Sequence, residues 1–318
     1  MSSRETVVAV DVGGTNIRAA VVDRQLNILK HTQMPMDKSS PSSVLRGIGD
    51  CVQELIPLSG YISGIGVAMK GFVDYKNGIM VASANLNMKN LHVKTFLEER
   101  FTLPTHIDND VHAATIGEIY YGTGRRFKNF IYINVGTGVA AGLVFEGKLY
   151  RGAENFSGEF GHTTVNLNGW LCHCGMRGCL EEVVSGPGIV EQARRKIGQY
   201  PDSQLAEIVR SGSIDTTKIF QAADTGDKLG LEVLQNSVIY LGTGIVNLVN
   251  LLNPDAVILG GGVFSDADTF VKRLVVFVKR HAIEEAAAHL RDLSVSSLMA
   301  NEAGLVGAAG LVWEYQDL

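Results

Sequence analysis

The chain has 318 residues, 46% hydrophobic and 19% charged, a globular balance that excludes a disordered or collagen-like chain. At about 150 residues per domain there is room for two domains. Lys and Arg number 28 against 33 Asp and Glu, a formal charge of −5, which argues against broad recognition of a phosphate backbone, so no nucleic-acid partner is expected. The 36 glycines against 7 prolines point to tight turns and close backbone approaches rather than flexible linkers. No apolar run nears the ~20 residues a membrane helix needs, and the N-terminal MSSRETVVAVDVGGT carries no secretion pattern. The expectation is a cytoplasmic chain with no membrane partner.

Val7 to Val22 reads as strand, glycine turn, strand. Residues 41–57 place Val44, Leu45, Ile48, Val52, Leu55 and Ile56 at helical spacing, closed by Pro57. A strand over Ile62 to Met69 and a short amphipathic helix over Leu91 to Phe101 complete an α/β unit of about 110 residues. Pro104 to Ile107 then predicts a strand, and the segment from Val111 to Gly122 a helix. A second strand–glycine–strand unit begins at Phe130. Val10-Asp11-Val12-Gly13-Gly14-Thr15 overlays Ile133-Asn134-Val135-Gly136-Thr137-Gly138 at an interval of 123 residues, and the apolar runs Ala19–Val22 and Gly142–Phe145 match as well. The pattern predicts a duplicated α/β core, although two unrelated hairpins would look the same locally. Helices are expected at Gly188–Ile197, Ser203–Val209, Ile214–Asp224, Lys228–Leu252, about 266–289 and 302–315, with a buried strand at Ala256–Leu259 running into Gly260-Gly261-Gly262.

Two phosphate-binding patterns fail. There is no Gly-Lys-Ser/Thr ending for a P-loop, and Gly136-Thr137-Gly138 is followed by Val-Ala-Ala-Gly, which breaks the G-x-G-x-x-G of a dinucleotide fold. What remains is a pair of hairpin turns whose bare N–H groups suit oxyanions, with Asp11 placed to orient Mg²⁺ through water. Each turn alone is equally what a plain hairpin requires. Asp108-Asn109-Asp110 stands between a strand and a helix, where the helix dipole keeps a carboxylate ionised. Any of the three would also serve simply as a helix cap.

Cys51 lies in a predicted helix and reads as a small buried hydrophobe. Cys172, Cys174 and Cys179 crowd together, interleaved with Gly175 and Gly178, and His162 stands ten residues before the first. One imidazole and three thiolates form a closed tetrahedral zinc site of the structural type. Such a site would pin Glu159 and Glu181 on its two flanks, a rigid arrangement suited to hydroxyl recognition. His173, between two ligands, is expected to face solvent.

The motifs DVGGT (11–15), DND (108–110), GTG (136–138), GEFGH (158–162), CHCGMRGCLE (172–181) and NPDAVILGGGV (253–263) occur in that order. The chain resembles, over essentially its whole length, the ROK family of bacterial sugar kinases and sugar-responsive repressors. The resemblance implies an α/β, actin/hexokinase-like two-lobed fold with a duplicated β-sheet core and an inter-lobe cleft. A small lobe over 1–110 would carry the C-terminal helix (about 302–318) packed back on it, and a large lobe over 111–301 would hold the zinc module at 162–179. It further implies ATP, Mg²⁺ and structural Zn²⁺ as cofactors, with transfer of the γ-phosphoryl group to a sugar hydroxyl. Carried over by residue, Asp110 resembles the catalytic base. Asn109, Glu159, His162, Glu181, Gly71 and Asn85 fall on the sugar side. Asp11, Gly13, Gly14, Thr15, Asn16, Arg18, Gly136, Thr137, Gly138 and Gly261 fall on the ATP and magnesium side, and His162, Cys172, Cys174 and Cys179 match the zinc ligands.

Many members of the family have a Pro-Gly pair after the second strand, whereas this chain reads Ala68-Met69-Lys70-Gly71-Phe72, with Asn85-Leu86 retained. That departure bears on sugar identity: an aldohexose 6-hydroxyl is expected, with N-acetylhexosamine and fructose as alternatives. A homodimer is expected, since family members often dimerise. Family repressors carry an N-terminal winged helix-turn-helix; here the first strand begins by Thr6, so a sugar-sensing regulator is the disfavoured reading.

Overall fold

In the computed structural model, residues 5–56, 61–298 and 302–316 are described; Pro57 lies outside them. The chain divides into two compact units, residues 1–125, 148–157 and 297–318 forming the first, and 126–147 and 158–296 the second. The expected boundary at residue 110 coincides instead with the first residue of a helix that belongs to the first unit.

That unit opens with β1 (Thr6–Val12), β2 (Asn16–Asp23) and β3 (Ile28–Pro35), followed by α1 (Pro41–Leu55) and β4 (Ile62–Met69). A small antiparallel sheet, β5 (Phe72–Asp74), β6 (Ile79–Ser83) and β7 (Met88–His92), precedes α2 (Val93–Phe101), β8 (Thr105–Asn109) and α3 (Asp110–Tyr120). The main sheet has the order β3-β2-β1-β4-β8, antiparallel through the first three strands and parallel from β1 through β4 to β8. β4 is buried along its whole length, which is why ISGIGVAM reads as a continuous run rather than an alternation. Ser40 caps α1 by accepting from Ser43 N–H, and the helix buries Val44, Ile48, Cys51, Val52 and Leu55, so Cys51 is the core residue expected.

The second sheet starts from β9 (Phe130–Val135) and β10 (Val139–Phe145); β11 (Lys148–Tyr150), next in the chain, belongs to the first unit. Helices α4 (Glu181–Val184), α5 (Gly186–Lys196), α6 (Leu205–Ser211), α7 (Thr216–Asp224) and α8 (Lys228–Leu252) lead to β12 (Ala256–Gly260). Next come α9 (Asp268–His281), α10 (Glu284–His289) and β13 (Asp292–Val295); α11 (Ala303–Gln316), on the last described segment, belongs to the first unit. Within the second unit the order β10-β9-β12-β13 repeats β2-β1-β4-β8 of the first sheet, with β9, β12 and β13 parallel. The 123-residue overlay is thus a duplication of strand order as well as of turns.

α11 packs on β4 and α3 of its own unit. The approach is close: a Cβ on Gly66 of β4 would lie 1.8 Å from the Ala308 carbonyl oxygen, so only glycine fits there. α8 is long and apolar enough by length and composition to span a bilayer, which the reading of runs did not register because polar residues interrupt it; 61% of its apolar window is buried in the second unit. The helix expected over 266–289 is two helices, broken where Ala282 turns extended at ψ 155°. β3 and β13 were not expected from the sequence, since edge strands such as ILKHTQMP lack a clean apolar alternation.

Candidate active site

In the first unit the parallel register sets the site. Val12 of β1 pairs with Met69 of β4, and Met69 pairs with Asn109 of β8. The residues that follow these three, Gly13, Lys70 and Asp110, therefore stand in one row at the C-terminal edge of the sheet, where open α/β sheets place ligands. The Gly13 turn is closed by Gly13 N–H donating to the Asn16 carbonyl at 3.0 Å, and a Cβ on Gly14 would meet nothing within 4 Å. No packing demand requires glycine at position 14; its effect is to leave the backbone bare. Thr15 is exposed, and its carbonyl accepts from Met36 N–H at 2.8 Å.

Arg18 lies directly across β1–β2 from Asp11 and donates to its carboxylate. Asp11 is also crowded by Gly304 of α11, where a Cβ would approach Oδ2 to 2.7 Å. Asp110 is the first residue of α3 and half-buried; burial raises its carboxyl above the usual range, the Lys70 charge opposes that rise, and the Asp11 charge adds to it. Asn109 is the N-cap of this helix, accepting from Val111 N–H at 2.8 Å, while its Nδ2 donates to the Gly71 carbonyl at 2.9 Å. The residue expected on the sugar side thus also ties α3 to the chain after β4. Gly71 has φ +122°, and a Cβ there would meet the Ala82 carbonyl oxygen at 2.3 Å. Asn85 sits exposed in the β6–β7 turn, its carbonyl accepting from Lys38 at 3.0 Å.

Sequence reasoning missed the support behind Asp110. Asp108 is fully buried and accepts from Arg151 Nε at 2.8 Å, Asn155 Nδ2 at 3.2 Å and Asn109 N–H at 2.7 Å, with His112 Nδ1 at 3.1 Å. Burial alone would raise its carboxyl, but the His112 hydrogen bond and charge and the Arg151 guanidinium outweigh it and hold it below the usual range. Arg151 is shared with Glu314 of α11 at 2.8 Å. The i,i+4 spacing of Asp108 and His112 was the one sign of this cluster in the sequence.

In the second unit, β9 and β10 are joined by Gly136-Thr137-Gly138, with Gly136 N–H donating to the Gly138 carbonyl at 2.9 Å. Gly186 at the start of α5 donates to the Gly136 carbonyl at 2.8 Å. Gly261, φ +94°, follows β12 so closely that a Cβ would lie 2.3 Å from the Val135 carbonyl oxygen. These glycines line the C-terminal edge of the second sheet as Gly13 and Gly14 do that of the first.

The cysteine segment is folded by its own backbone: Cys172 N–H donates to Met176 at 2.8 Å, Gly178 N–H to Trp170 at 2.8 Å and Val165 N–H to Gly178 at 2.9 Å. Cys174 Sγ lies 3.6 Å from Cys179 Sγ, and Cys172 Sγ 3.7 Å from His162 Nδ1. All four donor atoms fall within 4.8 Å of one another. Zinc–sulfur bonds of about 2.3 Å at tetrahedral angles space ligands about 3.7 Å apart, so this donor set fits Zn²⁺. Burial pushes the Cys172 thiol up to about 12 and raises Cys179 as well, while the Met176 backbone N–H lowers Cys174.

His162 turns its other nitrogen, Nε2, to within 4.0 Å of Glu159 Oε2. Glu181, the first residue of α4, accepts from Val139 N–H at 2.8 Å. His173 is 65% exposed, yet its Nδ1 stands 3.8 Å from both Glu181 and Glu182 carboxylates. Asp11, Gly13, Lys70, Asn109 and Asp110 therefore form one cluster within the first unit. Gly136–Gly138, Glu159, His162, Glu181 and the cysteines form another within the second.

The profile of the ROK family matches residues 7–314. The chain belongs to the ROK family. A glucokinase of Halalkalibacterium halodurans is 33% identical over 319 residues, 98% of this chain and 96% of that protein. Among solved structures, a ROK family transcriptional regulator, a homologue of the E. coli MLC protein, superposes with TM-score 0.88 at 26% identity, covering 98% of this chain and 79% of the regulator. A ROK family glucokinase from Streptomyces griseus, in complex with glucose and AMPPNP, superposes with TM-score 0.79 at 28% identity, covering 97% and 99%. The fold class is thus the α/β, actin/hexokinase-like one that the motifs implied.

Proposed function

We propose that this ROK protein is a cytoplasmic ATP-dependent carbohydrate kinase, transferring the γ-phosphoryl group to the 6-hydroxyl of an aldohexose such as glucose or allose. The observation that carries the reading is the row at the first sheet's C-terminal edge, which sets a half-buried carboxylate, Asp110, two strands from a bare glycine turn. The similarity to glucokinases supports it.

In this reading Asp110 accepts the proton of the sugar hydroxyl as its oxygen bonds to the γ-phosphorus and the bond to the β-phosphate oxygen breaks with its electron pair. Magnesium, when bound, would neutralise phosphate charge, with Asp11 orienting it through water. Glu159, His162 Nε2 and Glu181 hold sugar hydroxyls, and Asn109 and Gly71 belong to the same substrate group. His162 Nδ1 and the three cysteines would hold a structural zinc ion that fixes those contacts. Proton acceptance is worth ~10²–10⁴-fold, whereas aligning the reactants supplies ~7–11 kcal/mol. Alignment dominates, which accounts for a whole metal module devoted to side-chain placement.

A panel of sugars assayed for coupled ADP release tests the proposal: turnover on an aldohexose is expected, and turnover on no sugar would overturn it. The same panel separates N-acetylhexosamine and fructose as acceptors. A second reading, a sugar-sensing regulator, is favoured by the 0.88 superposition and requires sugar binding without turnover. Assembly as a homodimer is proposed from the family alone and is read by light scattering.

A further inference from the structure

The row Gly13–Lys70–Asp110 contains a cation that the family's motifs do not call for. Because Met69 is in register with Val12 on one side and Asn109 on the other, Lys70 projects from the sheet edge between the glycine turn and the carboxylate, with strands about 4.8 Å apart. It is half-buried, and its charge is the strongest influence opposing the burial of Asp110. The neighbouring arginines are committed elsewhere: Arg18 to Asp11, and Arg151 to Asp108 and Glu314. A phosphoryl group passing from the turn to an alcohol at Asp110 crosses the middle of this row.

We propose that Lys70 is a catalytic residue of the phosphoryl transfer, its ammonium hydrogen-bonded to the γ-phosphoryl oxygens as the group moves from the Gly13 turn toward the acceptor beside Asp110. The inference rests on the kinase reading above. In the step, the sugar oxygen forms its bond to phosphorus, the bond to the β-phosphate oxygen breaks with its electron pair staying on ADP, and the proton goes to Asp110. Lys70 makes and breaks no covalent bond. A lysine suits the place because its ammonium is a compact point charge on a flexible stem, able to follow oxygens that shift during transfer.

The test uses the full chain with Lys70→Met and Lys70→Arg. Calorimetric titration with Mg·ADP and with the Mg·β,γ-imido analogue of ATP reads the contact, since only the second carries the γ group. The ratio of the two affinities is expected to fall about tenfold in Lys70→Met and to return in Lys70→Arg, as one charge-assisted bond would dictate. At the same time kcat should fall on the order of 10²-fold, with the sugar KM within about threefold of wild type. An unchanged ratio in a folded Lys70→Met overturns the proposal whatever happens to kcat. Failure of the kinase reading shows separately, as a wild-type protein that releases no ADP with any sugar of the panel.

Discussion

Glu181 Oε2 accepts the backbone N–H of Val139 at 2.8 Å, so the carboxylate two residues beyond Cys179 is fastened to the first residue after the Gly136-Thr137-Gly138 turn. The fit is close, since a Cβ on Gly138 would come within 2.7 Å of the same oxygen. One oxygen of Glu181 is thereby oriented by the second sheet itself, and the cysteine segment ending at Cys179 runs directly into the helix that carries it.

On the proposed reading, Glu181→Ala removes both a sugar-hydroxyl partner and the tie to the turn. The expected result is a fall in kcat/KM for sugar of about 10²-fold, near 3 kcal/mol, the loss of a charged hydrogen-bond partner. Glu181→Gln keeps an oxygen for Val139 and should lose less. Steady-state kinetics over a range of sugar concentrations check it, and equal losses in the two variants would count against the tie.

Zinc should be held at one ion per chain, by elemental analysis, and reduced in Cys174→Ser or after strong chelation. Thermal melts should then show a lower midpoint, with the sugar KM raised. Zinc requires thiolates, and Cys172, with its thiol pushed up to about 12, must release a proton on binding. Apparent zinc affinity should therefore drop as pH is lowered, which a competition titration with a chromophoric chelator measures.

Asp110→Asn should lower kcat by ~10²–10⁴-fold with sugar affinity largely kept. Burial raises the Asp110 carboxyl, so in the wild type the acid limb of kcat/KM should lie above that of an ordinary aspartate. The stability effect has the opposite sign to the activity effect. A folded-state pKa above the unfolded one means stability is lost as pH rises through that window, so the asparagine variant should melt higher than wild type at neutral pH and gain nothing below pH ~3.5. Equal melting points at both pH values would contradict the burial.

Asp108→Ala leaves Arg151, only 14% exposed, with a single remaining carboxylate in Glu314. Removing one partner of a buried ion pair costs about 3–5 kcal/mol, so a large fall in melting temperature is expected. The wild-type Asp108 carboxyl is depressed, and its contribution is present above the unfolded aspartate value and lost as pH falls through the folded one. Denaturant titrations at several pH values should show the gap between wild type and variant closing in acid.

The glycine turns, the cysteine–histidine spacing and the strand–turn–strand repeat were legible because each is local: backbone freedom, ligand spacing and apolar period act over a few residues. So was the helix starting at Asp110, since Asn109 caps it within the same short segment. Sequence by itself determined which residues carry donors, thiolates and bare amides, and in what order the two halves repeat.

Tertiary structure decided what stands beside what. Lys70 joins Gly13 and Asp110 only through strand register, Arg151 reaches Asp108 from 43 residues away, and Val139 meets Glu181 across 42. No periodicity encodes such pairs, because they are fixed by how parallel strands align and by which buried charge needs a partner in a low dielectric. The edge strands β3 and β13 were likewise hidden: a strand with one open side needs no apolar alternation, and its place is set by the neighbour it pairs with.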